Sequence, residues 1–478
     1  MTTIAQLFNS PSARPCLLVE VVVAGTTIYM STRGYVTSPA ETPASTIYKP
    51  VIIGGVSYNE SLDSSISYGD IEVSNANGEL DDWLTMIWDN SPINIYIGDS
   101  SWPRANFIKV LSGIIGTIVS RDRETLNLTL RDKMELLQSP VTESVLGGTT
   151  DNADELIPLC FGECFNVTPL LTNPATLEYQ VHNGRIERII EVRDNGAPVE
   201  FVGNLTTGKF TLTRSPSGQI TCSVQGDAPA GVYSNKITPV IKRLVKDFGS
   251  VDTRLTDSDL DLVSLTAFDS ANQQSIGLYM TTTTAVSDAI SQLAGSIGAG
   301  VVFGRNGTLK LVKLDLASGG ESIGPNQRIG QSLMISDRPK VRAGVDVGYC
   351  RNWTVQEDIQ TGILPEHKQI FAKEYRSSVI KDLVVATLYK IGALPEQEPT
   401  LLIATIDANG EATRRNNLWK VQRTVLNYSG VPSLLETQPG DYQTITASRF
   451  GLTGGANVQV LSTQVDWIKP GIEIMVMM

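Results

Sequence analysis

Histidine is nearly absent from this 478-residue sequence: His182 and His367 are the only two, far apart in the chain. That scarcity removes most routes to general acid–base catalysis and to histidine-ligated metal centres. Charge is sparse too. Charged side chains make up 18% of the sequence, below the roughly 25% of an average soluble domain. Long apolar runs are missing: residues 17–24 are interrupted by Glu20, and no stretch approaches the about 20 apolar residues needed to span a bilayer. Residues 1–15 contain no basic region followed by an apolar stretch. The expectation is a chain made and folded in a cytoplasm, without membrane insertion.

Cysteine is scarce and odd in number: Cys16, Cys160, Cys164, Cys222 and Cys350. An odd count with no leader pattern argues against a disulfide framework. Cys160 and Cys164 are separated by three residues, where metal motifs favour two. With Cys222 they offer three ligands, whereas a closed zinc or iron–sulfur site usually takes four. Buried, reduced thiols acting as small apolar side chains are the favoured reading. A metal would need Cys350 or a residue from another subunit.

Catalytic signatures are missing as well. The sequence has no His-Glu-x-x-His, no glycine-rich phosphate loop ending in Lys-Ser/Thr, and no Gly-x-Ser-x-Gly elbow. Acidic stretches at 151–155 and 257–261 lack the glycine and terminal glutamate of a calcium loop, and read as solvated loops. No catalytic, cofactor-binding or metal-ligating residue is assigned, and the chain reads as a non-enzyme. A carboxylate pair that meets only in space stays open at this point.

What the sequence does have is the material of short strands and turns: 41 Gly, 23 Pro, and abundant Thr, Ser and Val. Its length exceeds one hydrophobic core. The 50 acidic and 38 basic side chains leave a net charge of −12, which argues against gripping nucleic-acid phosphates. It is compatible with a wall past which DNA slides without sticking.

The fold class expected is mainly β with α+β portions, in four domains. Residues 1–148 read as a β-barrel, with strands at 17–24, 26–31, 66–73, 93–97, 107–113, 116–120 and 126–131, and a helical spacing at 81–88. In the last of these strands Leu126, Leu128 and Leu130 alternate inward. Residues 149–234 read as a small β-rich insertion, with strands at 188–193, 201–202 and 209–213. Residues 235–344 read as α+β: a helix capped by Thr238 with Pro239 in its first turn and Gly249 at its end, a second carrying Val286, Ile290, Leu293 and Ile297, then a hairpin at 301–314. Residues 345–478 read as a second barrel with a helical insertion, its helices expected around 370–381 and 414–427.

Several stretches together resemble the hub proteins of siphophage and Mu-like phage tails. They are Ile66-Ser-Tyr-Gly69 through Asn75-Ala-Asn77-Gly78 to Asp81-Asp-Trp83; Leu159-Cys-Phe-Gly162-Glu-Cys-Phe-Asn166-Val-Thr-Pro169-Leu-Leu171; Tyr179-Gln-Val-His182-Asn-Gly184; Val345-Asp-Val-Gly348-Tyr349-Cys-Arg351-Asn352-Trp353; and Pro439-Gly440-Asp441 with Arg449-Phe450-Gly451-Leu452 and the closing strands. The resemblance implies a virion protein of the tail tip, or baseplate, assembled in the host cytoplasm as a homotrimer. Its two tube-like barrels, residues 15–140 and 345–478, would mimic the sixfold tail tube. It implies a distal tail protein ring above, a central spike or fibre below, a tape-measure protein ending in the channel, and DNA passing through the lumen unbound. Related tail-tip proteins can hold an iron–sulfur cluster on four cysteines, and this chain clusters only three: Cys160, Cys164 and Cys222. Two other readings compete. A receptor-binding fibre or spike would show repeats or a shaft pattern, which the sequence lacks. A tail-associated cell-wall hydrolase would need a carboxylate or metal site in a groove.

Overall fold

The computed structural model describes residues 4–317 and 319–478. Most of its β-structure belongs to one 13-stranded sheet. The path starts at Thr26–Ser31 and runs through Pro15–Val23, Pro92–Asp99, Ile108–Ser120, Thr125–Arg131, Tyr68–Ser74 and Ile52–Ser61. It then passes into Ala456–Asp466, Gly471–Met477, Val425–Gly430 and Met334–Asp337, with Tyr442–Ile445 and Glu321–Ile323 branching from Ala456–Asp466. Every ladder in it is antiparallel except that of Glu321–Ile323 against Tyr442–Ile445. The mainly β, multidomain expectation holds. The barrels do not: the ladder is open at both ends, with no closed barrel among the described residues.

Alternation explains the sheet's inner face. Leu126, Leu128 and Leu130 are buried as expected, beside Ile71, Val73, Ile93 and Ile95. The expected break between residues 113 and 116 is absent, and Ile108–Ser120 is a single strand. Gly113 is there for proximity, since a Cβ would lie 2.6 Å from the carbonyl oxygen of Arg131 on the neighbouring strand. The helical spacing at 81–88 yields only a 3₁₀ turn, Asp81–Thr85. There Asn75 donates to Asp81 at 2.7 Å and accepts from the Leu80 N–H at 2.8 Å, and the Trp88 indole donates to the Trp83 carbonyl at 2.7 Å. The first resembling stretch is thus a self-bonded turn closed by two packed tryptophans.

The two halves of the sheet meet where Ser57–Ser61 of one strand pairs with 462–466 of another. Beneath this seam Arg305, on the turn after strand Ala299–Phe303, enters from a separate hairpin. Its Nε donates to Glu60 at 2.6 Å, and Nη2 donates to the Thr437 carbonyl at 2.8 Å and to Thr463 Oγ1 at 3.0 Å. Nη1 donates to the Leu435 carbonyl. Thr463 donates in turn to Glu60 at 3.0 Å. Both charges are buried, so one guanidinium ties the N-terminal strands, the C-terminal strands and the middle of the chain together.

Residues 159–280 supply two smaller sheets. One is five-stranded: Ala197–Val199, Ile186–Asp194, Ile220–Asp227, Leu159–Val167 and Gly277–Met280. The other is four-stranded: Leu170–Asn173, Glu178–Gln180, Lys209–Leu212 and Phe201–Asn204. Helices Ile237–Asp247 and Val286–Gly295 pack in a third core with the Ala299–Phe303 and Leu309–Lys313 hairpin. Val286, Ile290, Leu293 and Ile297 are all buried there, as their spacing requires. Thr238 is not the cap: the helix starts at Ile237, and the Thr238 hydroxyl is buried with no partner among the described residues. Gly249 follows the helix end at φ +78°.

Later helices depart from the periodicity reading. The expected helix at 370–381 is a helix, Pro365–Phe371, followed by a strand, Arg376–Lys381, paired with Gly344–Tyr349. The expected helix at 414–427 starts earlier, as Thr405–Trp419, and gives way to strand Val425–Gly430. In both places two elements of different period adjoin, and their summed apolar pattern mimics one helix. Helix Leu262–Ala271 went unrecognised because Leu265 is its one residue buried in the core, and helix Leu383–Tyr389 because it buries nothing. The 344–345 boundary does not separate cores. Val345, Val347, Ala408 and Ala412 join the helical core, while Glu321–Ile323 and Met334–Asp337 join the large sheet.

Arg305→Ala leaves Glu60 buried without a counter-ion, and the unfolding free energy should fall by about 3–5 kcal/mol, read as a lower denaturant midpoint. A second test concerns Asp132, which accepts the N–H groups of Ser67 and Met134 at 2.8 and 2.9 Å. Burial, with the Glu60 charge adding, pushes its pKa up to about 6. A folded pKa above the unfolded value of about 4 gives stability that is complete below pH ~4 and lost as pH rises through ~6. Unfolding free energy measured across that window should decline more steeply in the wild type than in Asp132→Asn; parallel curves would refute the assignment.

Candidate functional site

Two stretches singled out in the sequence, 159–171 and 345–353, meet in space through two asparagines. Gly162 at φ +67° and Asn166 at φ +53° bend strand Leu159–Val167, and its pairing with Ile220–Asp227 shifts register between Cys164 and Val167. The bend turns the fully buried Asn166 inward, where Nδ2 donates to Asn352 Oδ1 at 2.9 Å and the Thr354 carbonyl at 2.7 Å. Asn352 donates in turn to the carbonyls of Phe371 and Lys373 at 2.7 and 3.1 Å. Tyr279 Oη closes the same region by donating to the Thr168 carbonyl at 2.7 Å. This junction fastens the five-stranded sheet to the segment that follows residue 349.

The third stretch carries His182. Its ring is buried; Nδ1 accepts the Cys160 N–H at 3.1 Å, which leaves Nε2 to donate to Asp227 at 3.2 Å. Arg243 donates to the other Asp227 oxygen at 2.8 Å and pairs with Asp247 at 2.8 Å. Burial pushes the Asp227 carboxyl up, but the hydrogen bonds from His182 and Arg243 outweigh it and leave the group below its ordinary value. The buried imidazole, engaged at both nitrogens, joins the Cys160 backbone to the Asp227 carboxylate. His367 lies elsewhere, exposed on helix Pro365–Phe371.

Cys160, Cys164 and Cys222 do come together, in the apolar core of the two smaller sheets with Val167, Val181 and Val224. Burial pushes the Cys160 thiol well up, with Cys164 beside it adding, and burial likewise raises Cys222. In an apolar core a protonated thiol packs as a small side chain. Cys350 packs in the helical core and Cys16 against Tyr35, Tyr48 and Phe107. All five thiols are free and buried, and no group of three His, Cys, Asp or Glu with metal-binding geometry occurs among the described residues.

The acidic stretch at 257–261 does structural work. Asp257 pairs with Lys246 at 2.6 Å, Asp259 pairs with Lys133 and closes a capping box on Thr256, and Asp261 caps helix Leu262–Ala271 by accepting from Ser264 at 3.0 Å. The stretch at 151–155 lies in a loop. Gly440, in the last resembling stretch, turns at φ +94° against Val312, where a Cβ would approach to 2.5 Å. Leu452, beside Phe450 and Gly451, is buried in the core of the large sheet. Sequence reasoning missed Arg305 and Glu60 altogether, because a lone arginine after Gly304 and a lone glutamate in a strand carry no local signal.

No family model matches the chain, and no curated protein sequence is similar to it. Among solved structures it is similar to a tail protein from Neisseria meningitidis, with 9% identity, 96% of each chain covered and a TM-score of 0.41. It is also similar to a prophage MuSo2 tail protein from Shewanella oneidensis, at 10% identity over 97% of this chain and 98% of that one, TM-score 0.42. A third is a prophage tail protein from Listeria monocytogenes, at 8% identity over 96% of this chain and 94% of that one, TM-score 0.44. Likeness at this level transfers no residue and no role.

Asn352→Ala removes the shared acceptor of Asn166 and two bonds to carbonyls at once. It should cost about 2–4 kcal/mol and expose the Asn166 region, visible as faster amide exchange in strands Leu159–Val167 and Ile220–Asp227.

Proposed function

We propose that this chain is a structural, non-enzymatic component of a long phage tail: the hub subunit at the tail tip. Three copies form a ring below the distal tail protein ring, with the central spike or fibre beneath it. The tape-measure protein ends in the ring's channel, and DNA later crosses the lumen without specific binding. The virion of this reading is of the siphophage type, and the subunit takes part in host attachment and genome ejection. The observation that carries the reading is the large sheet: seven strands from residues 15–131 and six from residues 321–477 in one hydrogen-bonded path. Two sheet units per chain give six around a threefold axis, the match a sixfold tube requires. In this reading closure of the tube falls to neighbouring copies, which meet at the two ends of the sheet, the Thr26–Ser31 end, bridged at Met30 by Lys49, and the open strand Met334–Asp337. Met334 and Ile335 are exposed along the second edge. The division into units at 1–148, 149–234, 235–344 and 345–478 belongs to the same proposal, with strands of the third unit crossing to the large sheet.

Light scattering on the purified chain should give three times its 51.7 kDa mass, and electron-microscope class averages should show a ring with pseudo-sixfold features. A monomer at high concentration, or a ring of different symmetry, would count against the hub. Clearing of a cell-wall suspension by the purified chain would instead favour the hydrolase.

A further inference from the structure

A cavity of about 580 Å³ opens beside the free edge of the five-stranded sheet, roofed by the segment that precedes and includes helix Pro365–Phe371. One wall of it is aromatic. Phe165 and Phe371 stack with ring centres 5.8 Å apart, and the Arg193 guanidinium lies 5.4 Å from each ring. Arg376 sits 5.7 Å from the Phe165 ring. Arg193 is buried and fixed, donating to Ser223 Oγ at 3.1 Å and pairing with Glu191. Arg376 is exposed and makes no ion pair or side-chain hydrogen bond among the described residues. The cavity therefore sets two guanidinia against one carboxylate, in a chain whose net charge is −12. Ile363 supplies an apolar wall, held close by Gly196, where a Cβ would lie 2.8 Å from it.

The neighbouring edge strand offers little main-chain pairing. Ala197–Val199 pairs on one side only, with Ile186–Asp194, and Pro198 at its centre has no N–H to give an added strand. Side-chain pockets, not main-chain pairing, must therefore do the selecting. A planar guanidinium over an aromatic face is suited to a carboxylate, and desolvation by the apolar wall strengthens that pairing.

We propose that this cavity docks a segment of a partner protein that carries a carboxylate side chain beside an aromatic or branched apolar one. The carboxylate meets Arg376 and the apolar side chain meets the wall formed by Phe165, Phe371 and Ile363. The inference does not depend on the tail reading.

The probe is an array of fluorescein-labelled, acetylated octapeptides, each with one Asp or Glu beside one Phe, Leu or Val, titrated by anisotropy against the full chain. Saturable binding is expected, weakened on the order of tenfold by Arg376→Glu. Replacing the peptide's acid by its amide should weaken binding equally. Arg376→Glu, at an exposed position, should keep the wild-type melting temperature and should prefer peptides in which the acid is replaced by lysine. The proposal is overturned if no peptide saturates below about 1 mM, or if binding ignores both the peptide's charge and Arg376. It is equally overturned if free 4-phenylbutyrate binds while the peptides do not, which would make the cavity a small-molecule site.

Discussion

The buried pair of Arg305 and Glu60 is the constraint on which the architecture turns. Strand Ile52–Ser61 and strand Ala456–Asp466 come from opposite ends of the chain and share only the short ladder at the seam. A charged pair inside a core is costly unless every donor is used. Here all three guanidinium nitrogens are used, and each set of partners comes from a different part of the chain: Glu60, then Leu435, Thr437 and Thr463. The network is satisfied only when the three parts are docked in one arrangement, so its cost to isolated parts becomes specificity in the assembled fold. The second oxygen of Glu60 has no partner among the described residues, and that oxygen makes the guanidinium harder to replace.

The middle of the chain repeats this logic with neutral groups. Asn166 and Asn352 lie 186 residues apart and bond to each other, while Asn352 also holds the carbonyls of Phe371 and Lys373. The left-handed turn at Asn166 aims its amide, and the shift in register after Cys164 makes room for it. His182 belongs to the same design. By accepting the Cys160 N–H and donating to Asp227 it fixes the start of strand Leu159–Val167 against helix Ile237–Asp247, where Arg243 sits. The three clustered thiols fill the space between these bonds. Polar groups thus set direction, and apolar ones supply most of the free energy.

Buried polar groups in this molecule join segments that are distant in the sequence. The outermost strands differ: Thr26–Ser31 is bridged on its outer side by Lys49, and Ala197–Val199 carries Pro198, while Met334–Asp337 has a strand on one side only. An exposed edge invites pairing unless it is blunted or covered. Exposed Met334 and Ile335 do not blunt theirs.

Taken alone, the sequence determined the elements whose signal is local. The alternation at Leu126, Leu128 and Leu130, the stripe from Val286 to Ile297 and the hairpin around Gly307 each follow from a period or a turn that a few neighbouring residues specify. It also showed how few histidines the chain carries, two in all. Tertiary structure decided the rest. Whether residues 370–381 are helix or strand depended on pairing with Gly344–Tyr349, and the end of the helix expected at 414–427 depended on a place for Val425–Gly430 in the large sheet. That the sheet stays open, that Asp259 pairs with Lys133, and that Arg305 finds Glu60 are facts about residues far apart in the chain. A hydrogen bond between distant residues leaves no periodic trace, because its energy depends on where the chain returns to and not on what stands beside it.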